Sequence, residues 1–425
     1  MYKAKAERME DKIKTFSQFG DAGHGGITRY SLSPEAHMAR DEFVKRMKAI
    51  GAEIECDDLA CIYATLPGTD PDAKRIIMQS HCDSVKNGGN YDGIYGVMTA
   101  MEVLEVVAEN NIEHKHPLTA AIVTNEEGSL YPPAMMVSGI ICNDWLPPEL
   151  AKNFKYDDMM ASEAMEEHEG SAKTFGEALA ASKYKGDKAN RLSPDKYCAM
   201  IEAHIEQGPI LEDNGNEVGA VQCVLGMFNY SLVFKGFAAH AGTFPMDKRH
   251  DALYAAADAL CYMHDEIDKL GRPELVYTTG EIYAHPCVHT VIPDEVEFSL
   301  DVRHEAPKVL EAVMDIVKKM STMTFKGCTC EIRENWKRDT VYWNKDLVNF
   351  VEESMDEAGM KWQKINSGAG HDAQFFSYLI PTTMIFIRSE KGLSHCEPEH
   401  SSVEDCTAGA TVAVNAILKA DKFFD

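Results

Sequence analysis

The chain has 425 residues with 45% hydrophobic content, enough to bury a large core divided into about two domains. Its formal net charge of -26, from 42 basic and 68 acidic residues, argues against a nucleic-acid partner, which needs a basic face. No run of ~18 apolar residues is present to span a bilayer, the N-terminus MYKAKAERMEDKIKTF lacks the apolar stretch of a secretory signal, and the twelve cysteines form no C-x-x-C pair, so a reducing cytoplasm with free thiols is the expected setting.

In chain order, Ser33-Pro34 followed by Ala39, Phe43, Met47 and Ile50, then Gly51, predicts a capped helix with one apolar stripe and a glycine stop. Residues 52–56, 61–66, 75–80 and 117–124 read as strands, with a helix over about 93–110 between the last two. That order predicts an α/β fold with a mainly parallel sheet. The segment 150–195, rich in Lys, Glu, Ala and Met, reads as a helical or partly mobile excursion. Between 213 and 328 the pattern changes to strands near 217–224, 230–237, 275–283 and 294–303, with helices at about 250–270 and 306–322. This resembles a β-α-β-β-α-β layer, an α+β unit of ferredoxin-like order inserted in the first domain. The α/β texture then returns with a helix over 346–359, strands near 365 and 381–387, and a helix from about 402. The expected division is therefore a discontinuous domain of residues 1–212 and 329–425 around an insert of 213–328.

Five potential metal ligands are scattered over this framework: His81, Asp92, Glu127, His204 and His395. His81 follows a predicted strand, Asp92 lies in the glycine-rich Gly88-Gly89-Asn90-Tyr91-Asp92-Gly93, and Glu126-Glu127 follows another strand. Those are the carboxyl ends where chemistry collects in α/β sheets. Imidazole with carboxylate suits Zn or Mn, with Ni or Co as alternatives. Three histidines and two carboxylates can hold two ions if one carboxylate bridges them, and ions ~3.5–4 Å apart acidify a shared water and polarise a carbonyl. Glu126, adjacent to Glu127, is placed to move the proton. Asp83, two residues past His81, is placed to orient that imidazole.

The motifs Ser80-His81-Cys82-Asp83, Gly88 to Gly93, Thr124-Asn125-Glu126-Glu127-Gly128, Ala203-His204-Ile205-Glu206-Gln207-Gly208-Pro209 and Ser394-His395 resemble those of the two-metal amidohydrolases of the M20 peptidase superfamily. More narrowly they are similar to its N-carbamoyl-L-amino-acid hydrolase, allantoate amidohydrolase and β-ureidopropionase branch. Ala239 to Met246, Val291-Ile292-Pro293 leading to Asp301-Val302-Arg303, and Ser367 to Gln374 extend the likeness over nearly the whole chain. The resemblance implies that Asp92 bridges two divalent ions, that His81 and His204 complete one site and Glu127 and His395 the other, and that Glu126 is the general acid/base. It implies that His240 stabilises the oxyanion, that Gln207 and Arg303 bind a small ureido or amide substrate, and that the inserted domain forms a homodimer and closes over the site. Arg303 could instead pair within its own layer, and His240 could cap a loop. The Gly368-Ala369-Gly370 turn could offer N–H groups, Gly370 among them, to an anion, or be a packing turn.

Departures from the branch concern the substrate. Thr290 stands where an asparagine usually precedes Val-Ile-Pro, giving a shorter, branched hydroxyl in place of an amide. Ser129-Leu130 replaces an arginine-aromatic pair, and Arg388 replaces a proline, either as a new anion contact or as a surface charge. The leading expectation is a metal-dependent hydrolase of a linear ureido or amide C–N bond that releases ammonia and carbon dioxide from an N-carbamoyl amino acid or allantoate-like compound. The alternatives are an aminoacylase or dipeptidase of the same superfamily, or a binding protein that keeps the fold.

Overall fold

The computed structural model describes residues 1–147 and 173–424. The chain forms two compact units, Met1–Gln222 with Trp343–Asp425, and Cys223–Tyr342. In the first, four central strands run parallel in the spatial order Leu118–Val123, Arg75–His81, Tyr197–Ile205 and Thr382–Ile387. Leu118–Val123 and Thr382–Ile387 are buried at every position, as strands covered on both faces must be. Antiparallel strands flank them: Ile62–Leu66 and then Glu53–Cys56 beyond Leu118–Val123, and Val218–Val224 beyond Thr382–Ile387. The helices Ile94–Glu109 and Val403–Phe423 pack on the central strands and on each other.

The predicted helix after Ser33 spans Pro34–Ala49, with the Ser33 side chain accepting from the Ala36 amide and so satisfying one of the free N–H groups of the first turn. Among the elements that escaped sequence reading, two carry a buried charge. The helix Ala6–Phe16 buries Lys12, whose ammonium lies 2.7 Å from Glu102 and 2.6 Å from Glu105, so a charge occupies its inward stripe. The strand Tyr197–Ile205 is interrupted in sequence by Glu202, which is buried and accepts hydrogen bonds from Gln79 Nε2 at 2.7 Å and Ser80 Oγ at 2.8 Å.

The second unit has an antiparallel sheet ordered Cys328–Arg338, Gly226–Lys235, Glu295–His304, with Val276–Thr278 and Ile282–His285 both pairing the last of these. Glu295–His304 alternates buried and more exposed positions along its length, the period-two pattern of a strand with one face on a core. The helices Ala252–Asp268 and Pro307–Met320 supply the rest of that core through residues such as Ala256, Met263, Val313 and Val317. The unit's limits differ from the expected 213–328. Val218–Val224 pairs with Thr382–Ile387 in the first sheet, and Cys328–Arg338 pairs with Gly226–Lys235 in the second. Of the excursion expected over 150–195, residues 150–172 lie outside the described residues. In the remainder, Thr174 and Glu177 cap the helix Phe175–Ala181 reciprocally.

Candidate active site

All four central parallel strands end on one edge, and each delivers a candidate side chain there. His81 is the last residue of its strand, Glu126 and Glu127 follow Leu118–Val123, His204 is the penultimate residue of Tyr197–Ile205, and His395 lies on the connection after Thr382–Ile387. Asp92 sits in the loop between His81 and the helix Ile94–Glu109. Gly93, with φ +65°, closes that loop, and a Cβ there would overlap the His81 imidazole. Only glycine tolerates both the left-handed backbone and the close approach.

The Asp92 carboxylate divides the ligands into two groups. Its Oδ1 lies 3.7 Å from His81 Nε2 and 3.2 Å from His204 Nε2. Its Oδ2 lies 2.9 Å from His395 Nε2, which in turn is 3.5 Å from Glu127 Oε2. Glu126 Oε2 is 3.6 Å from His81 Nε2. The remaining ring nitrogens of the two strand histidines are engaged: Nδ1 of His81 meets the Asp83 carbonyl oxygen and Nδ1 of His204 the Ile205 carbonyl oxygen, both at 3.0 Å. Each Nε2 is thereby the nitrogen turned toward Asp92, and the one that offers a lone pair once deprotonated.

The structure supplies the atoms for the part expected of Asp83. Its backbone carbonyl orients His81, while its carboxylate, 4.0 Å from Nδ1, accepts from the Glu126 and Glu127 amides at 3.4 and 3.2 Å. Asp83 therefore holds the loop that carries the two glutamates. Gln207 adopts φ +59° and donates from Nε2 to Asp92 Oδ2 at 3.0 Å and to Ser394 Oγ at 3.1 Å, so its amide lies among the ligands. Glu399 and Glu202 were not singled out from sequence. Glu399 accepts from the loops bearing Asp92 and His395, and Glu202 underlies His204, near the imidazole of His371, whose ring centre is 4.6 Å from that of His204. No spacing in the sequence signals either carboxylate, because each is held in part by donors more than a hundred residues away, Glu399 by Tyr91 and Asp92 and Glu202 by Gln79 and Ser80.

The electrostatics suit cations. Burial pushes the Glu126 carboxyl well up, and Glu127, Asp372, Asp92 and Asp83 push it further. Glu127 is raised by burial and then by Asp92 and Asp83. Burial also pushes Asp92 up, but hydrogen bonds with His204 and His395 outweigh it and hold that carboxyl well below its ordinary value. His204 is lowered by burial and raised more strongly by Asp92, to about 9. His81, dominated by burial, is lowered. Glu127 Oε1 is buried with no hydrogen-bond partner among the described residues, an arrangement costly to leave uncompensated. Crowded carboxylates, imidazoles turned inward and an orphaned carboxylate oxygen fit divalent ions. Two His/Asp/Glu groups that could hold a metal are His81, Asp92 and His204, and Asp92, Glu127 and His395.

The other expected substrate residues lie elsewhere in the chain. On the second unit, His240 is exposed and its Nδ1 accepts from the Gly242 and Thr243 amides at 3.0 and 3.2 Å. That assigns the ring proton to Nε2, leaving an outward donor. Thr290 is exposed, and its carbonyl accepts from the Ala241 amide at 2.9 Å. Arg303 Nε donates to Asp301 Oδ1 at 2.8 Å. Gly370, on the first unit, is half-buried and precedes the short helix Asp372–Phe376. Arg388 pairs with Asp405, at 2.6 Å from NH2 and 3.2 Å from Nε, which accounts for its charge. Leu130 is buried and packs in the core, whereas Ser129 is half-buried.

Residues 77–419 match the family model of peptidase family M20/M25/M40. The chain is 31% identical to an N-carbamoyl-L-amino-acid amidohydrolase from Paenarthrobacter aurescens, over 99% of this chain and 100% of that one. It is 32% identical to an allantoate amidohydrolase from Bacillus subtilis, over 96% of each. Among solved structures, an amidase of the hydantoinase/carbamoylase family from Burkholderia multivorans superposes with a TM-score of 0.85 at 30% identity, covering 98% of both chains.

Proposed function

The chain belongs to peptidase family M20/M25/M40, and from that premise we propose that it is a metal-dependent hydrolase of a linear, non-peptide C–N bond in an N-carbamoyl amino acid or allantoate-like ureido compound. The observation that carries this reading is the sharing of Asp92 between two ligand groups with Glu126 alongside. The names of the full-length relatives supply the substrate class. An aminoacylase or dipeptidase is not favoured, since those relatives are named for carbamoyl amino acids and allantoate.

His81, His204 and Asp92 would hold one divalent ion and Asp92, Glu127 and His395 a second, with Zn or Mn best suited to the donors and Ni or Co as alternatives. When bound, such ions supply Lewis acidity that polarises the substrate carbonyl and acidifies water. Glu126 takes one proton from the attacking water as the new C–O bond forms, and delivers it to the leaving nitrogen as the C–N bond breaks. Its raised affinity for protons suits the second half of that task. Ammonia departs, and the carbamic acid left behind falls to carbon dioxide and the free amine. The Nε2–H of His240 is the donor proposed for the oxyanion, and Arg303 the partner of a substrate carboxylate. Gln207 positions Asp92 and presents its amide to the substrate, with Thr290 and Gly370 as further contacts.

We further propose a homodimer formed through the second unit, supported by exposed apolar side chains there, among them Leu253, Tyr254, Ile282 and Tyr283, and a cytoplasmic setting, supported by twelve free cysteines. No described helix is long and apolar enough to cross a membrane. Metal-reconstituted protein is assayed for ammonia release from N-carbamoyl amino acids and allantoate, and for amine release from N-acyl amino acids. Ammonia from at least one ureido compound is expected. Turnover of N-acyl substrates alone would overturn the reading.

A further inference from the structure

One carboxylate ties together the two loops that carry the outer ligands. Glu399 is 3% exposed. Its Oε1 accepts from the backbone amides of Tyr91 at 2.9 Å and Asp92 at 3.0 Å, and its Oε2 from Ser394 Oγ at 2.9 Å and the His395 amide at 3.3 Å. Asp92 and His395 stand about three hundred residues apart in sequence, and both of their backbone amides end on this single side chain. The fit is close on the other side as well, because a Cβ on Gly89 would overlap the Glu399 carboxylate. His395 itself is held in a left-handed conformation, φ +56°, which is uncommon for residues other than glycine.

We infer that Glu399 is a positioning residue for the outer half of the ligand set, acting through the backbone of Asp92 and His395 to set the separation of Asp92 Oδ2, His395 Nε2 and Glu127 Oε2. Both of its oxygens must be acceptors. An isosteric amide offers one acceptor and one donor group, so a glutamine would turn N–H against either the Tyr91 and Asp92 amides or the His395 amide. Ligand orientation by such outer contacts is typically worth a factor of about 10–100 in metal affinity. The His81 and His204 imidazoles are carried on strand ends and oriented by Asp83 and Ile205 carbonyls, so on their side the change reaches only the shared Asp92, whereas on the outer side it reaches both Asp92 and His395.

The inference rests on the two-ion reading of the site, and the experiment separates the two. Metal affinity is measured by competition with a chromogenic chelator for wild-type, Glu399→Gln and Gly89→Ala, the last keeping the carboxylate but displacing it. Wild-type protein is expected to bind two ions, and both variants to bind one of them about 10–100-fold more weakly and the other with a smaller loss, with turnover recovering as free metal is raised. Two ions bound with wild-type affinity by Glu399→Gln would overturn the role of Glu399 alone, as would unchanged affinity in a folded Gly89→Ala should the glutamine variant not fold. A wild-type protein that binds no metal would overturn the reading beneath it as well.

Discussion

The two ligand groups that meet at Asp92 are built differently. His81 and His204 are 2% and 1% exposed, sit on adjacent parallel strands and are oriented by carbonyl oxygens within two residues of themselves. His395 has a side chain 50% exposed, lies on a connecting segment in a left-handed conformation and is held by Glu399, four residues on, and by Asp92 about three hundred residues away. The inner group inherits its geometry from the sheet, whereas the outer group is assembled by loops. An ion on the strand side is thus set by the fold, and one on the loop side by the side chains that bind those loops together.

Asp92 is the point at which that contrast can be broken. Asp92→Asn removes the negative charge both groups share, so metal analysis should find both ions depleted and activity abolished. Retention of two tightly held ions would show that the groups do not share this carboxylate. The next effect separates the groups. His204→Ala should deplete mainly one ion and also destabilise the metal-free protein by about 3–5 kcal/mol, because it leaves the buried Asp92 and Glu202 without that partner. His395→Ala should deplete the other ion at a smaller cost, about 1 kcal/mol, because its own side chain is half exposed and Asp92 keeps His204 as a partner. Chemical denaturation with metal counting compares them, and equal destabilisation would erase the distinction.

The smallest effect is in protons. His204 titrates at about 9 in metal-free protein, held up by Asp92, and His81 is lowered by burial. At pH 7 His204 therefore carries a proton that a metal must displace, and His81 carries none. The sign follows: the His204–Asp92 contribution to metal-free stability is complete below the ordinary histidine value and is lost as pH rises through about 9. Metal affinity should rise over the same interval. Calorimetric titration in buffers of different ionisation enthalpy should show proton release near neutrality that diminishes in His204→Ala. Equal release in both proteins would contradict it.

Much of this was legible in sequence where local pattern and chemistry agree. The strands ending at His81 and before Glu126, and the helix after Gly93, announce themselves by apolar runs bounded by turn residues. Glycine-rich spacing placed Asp92 near His81, and the structure shows why Gly93 must be glycine. Residues whose burial is sustained by a distant partner were hidden. Lys12 masked the first helix, because only Glu102 and Glu105 make a lysine tolerable inside, and Glu202 broke the run of the central strand in the same way. Glu399 had no local signature, since two of its four donors, the Tyr91 and Asp92 amides, come from about three hundred residues away. Asp83 was placed beside His81 from sequence, but whether its carbonyl or its carboxylate meets the imidazole is a distinction that spacing does not encode. The limits of the second unit moved because strand pairing, not strand pattern, decides which sheet a segment joins.

The central claim is that Glu126 moves the proton beside a metal pair shared through Asp92. It is tested most directly by kcat and metal content measured together on Glu126→Gln, with the ureido substrate on which the wild-type protein releases ammonia fastest. The account predicts two ions per chain, as in wild type, and a kcat lower by about 10²–10⁴-fold. Unchanged turnover with both ions in place would contradict it.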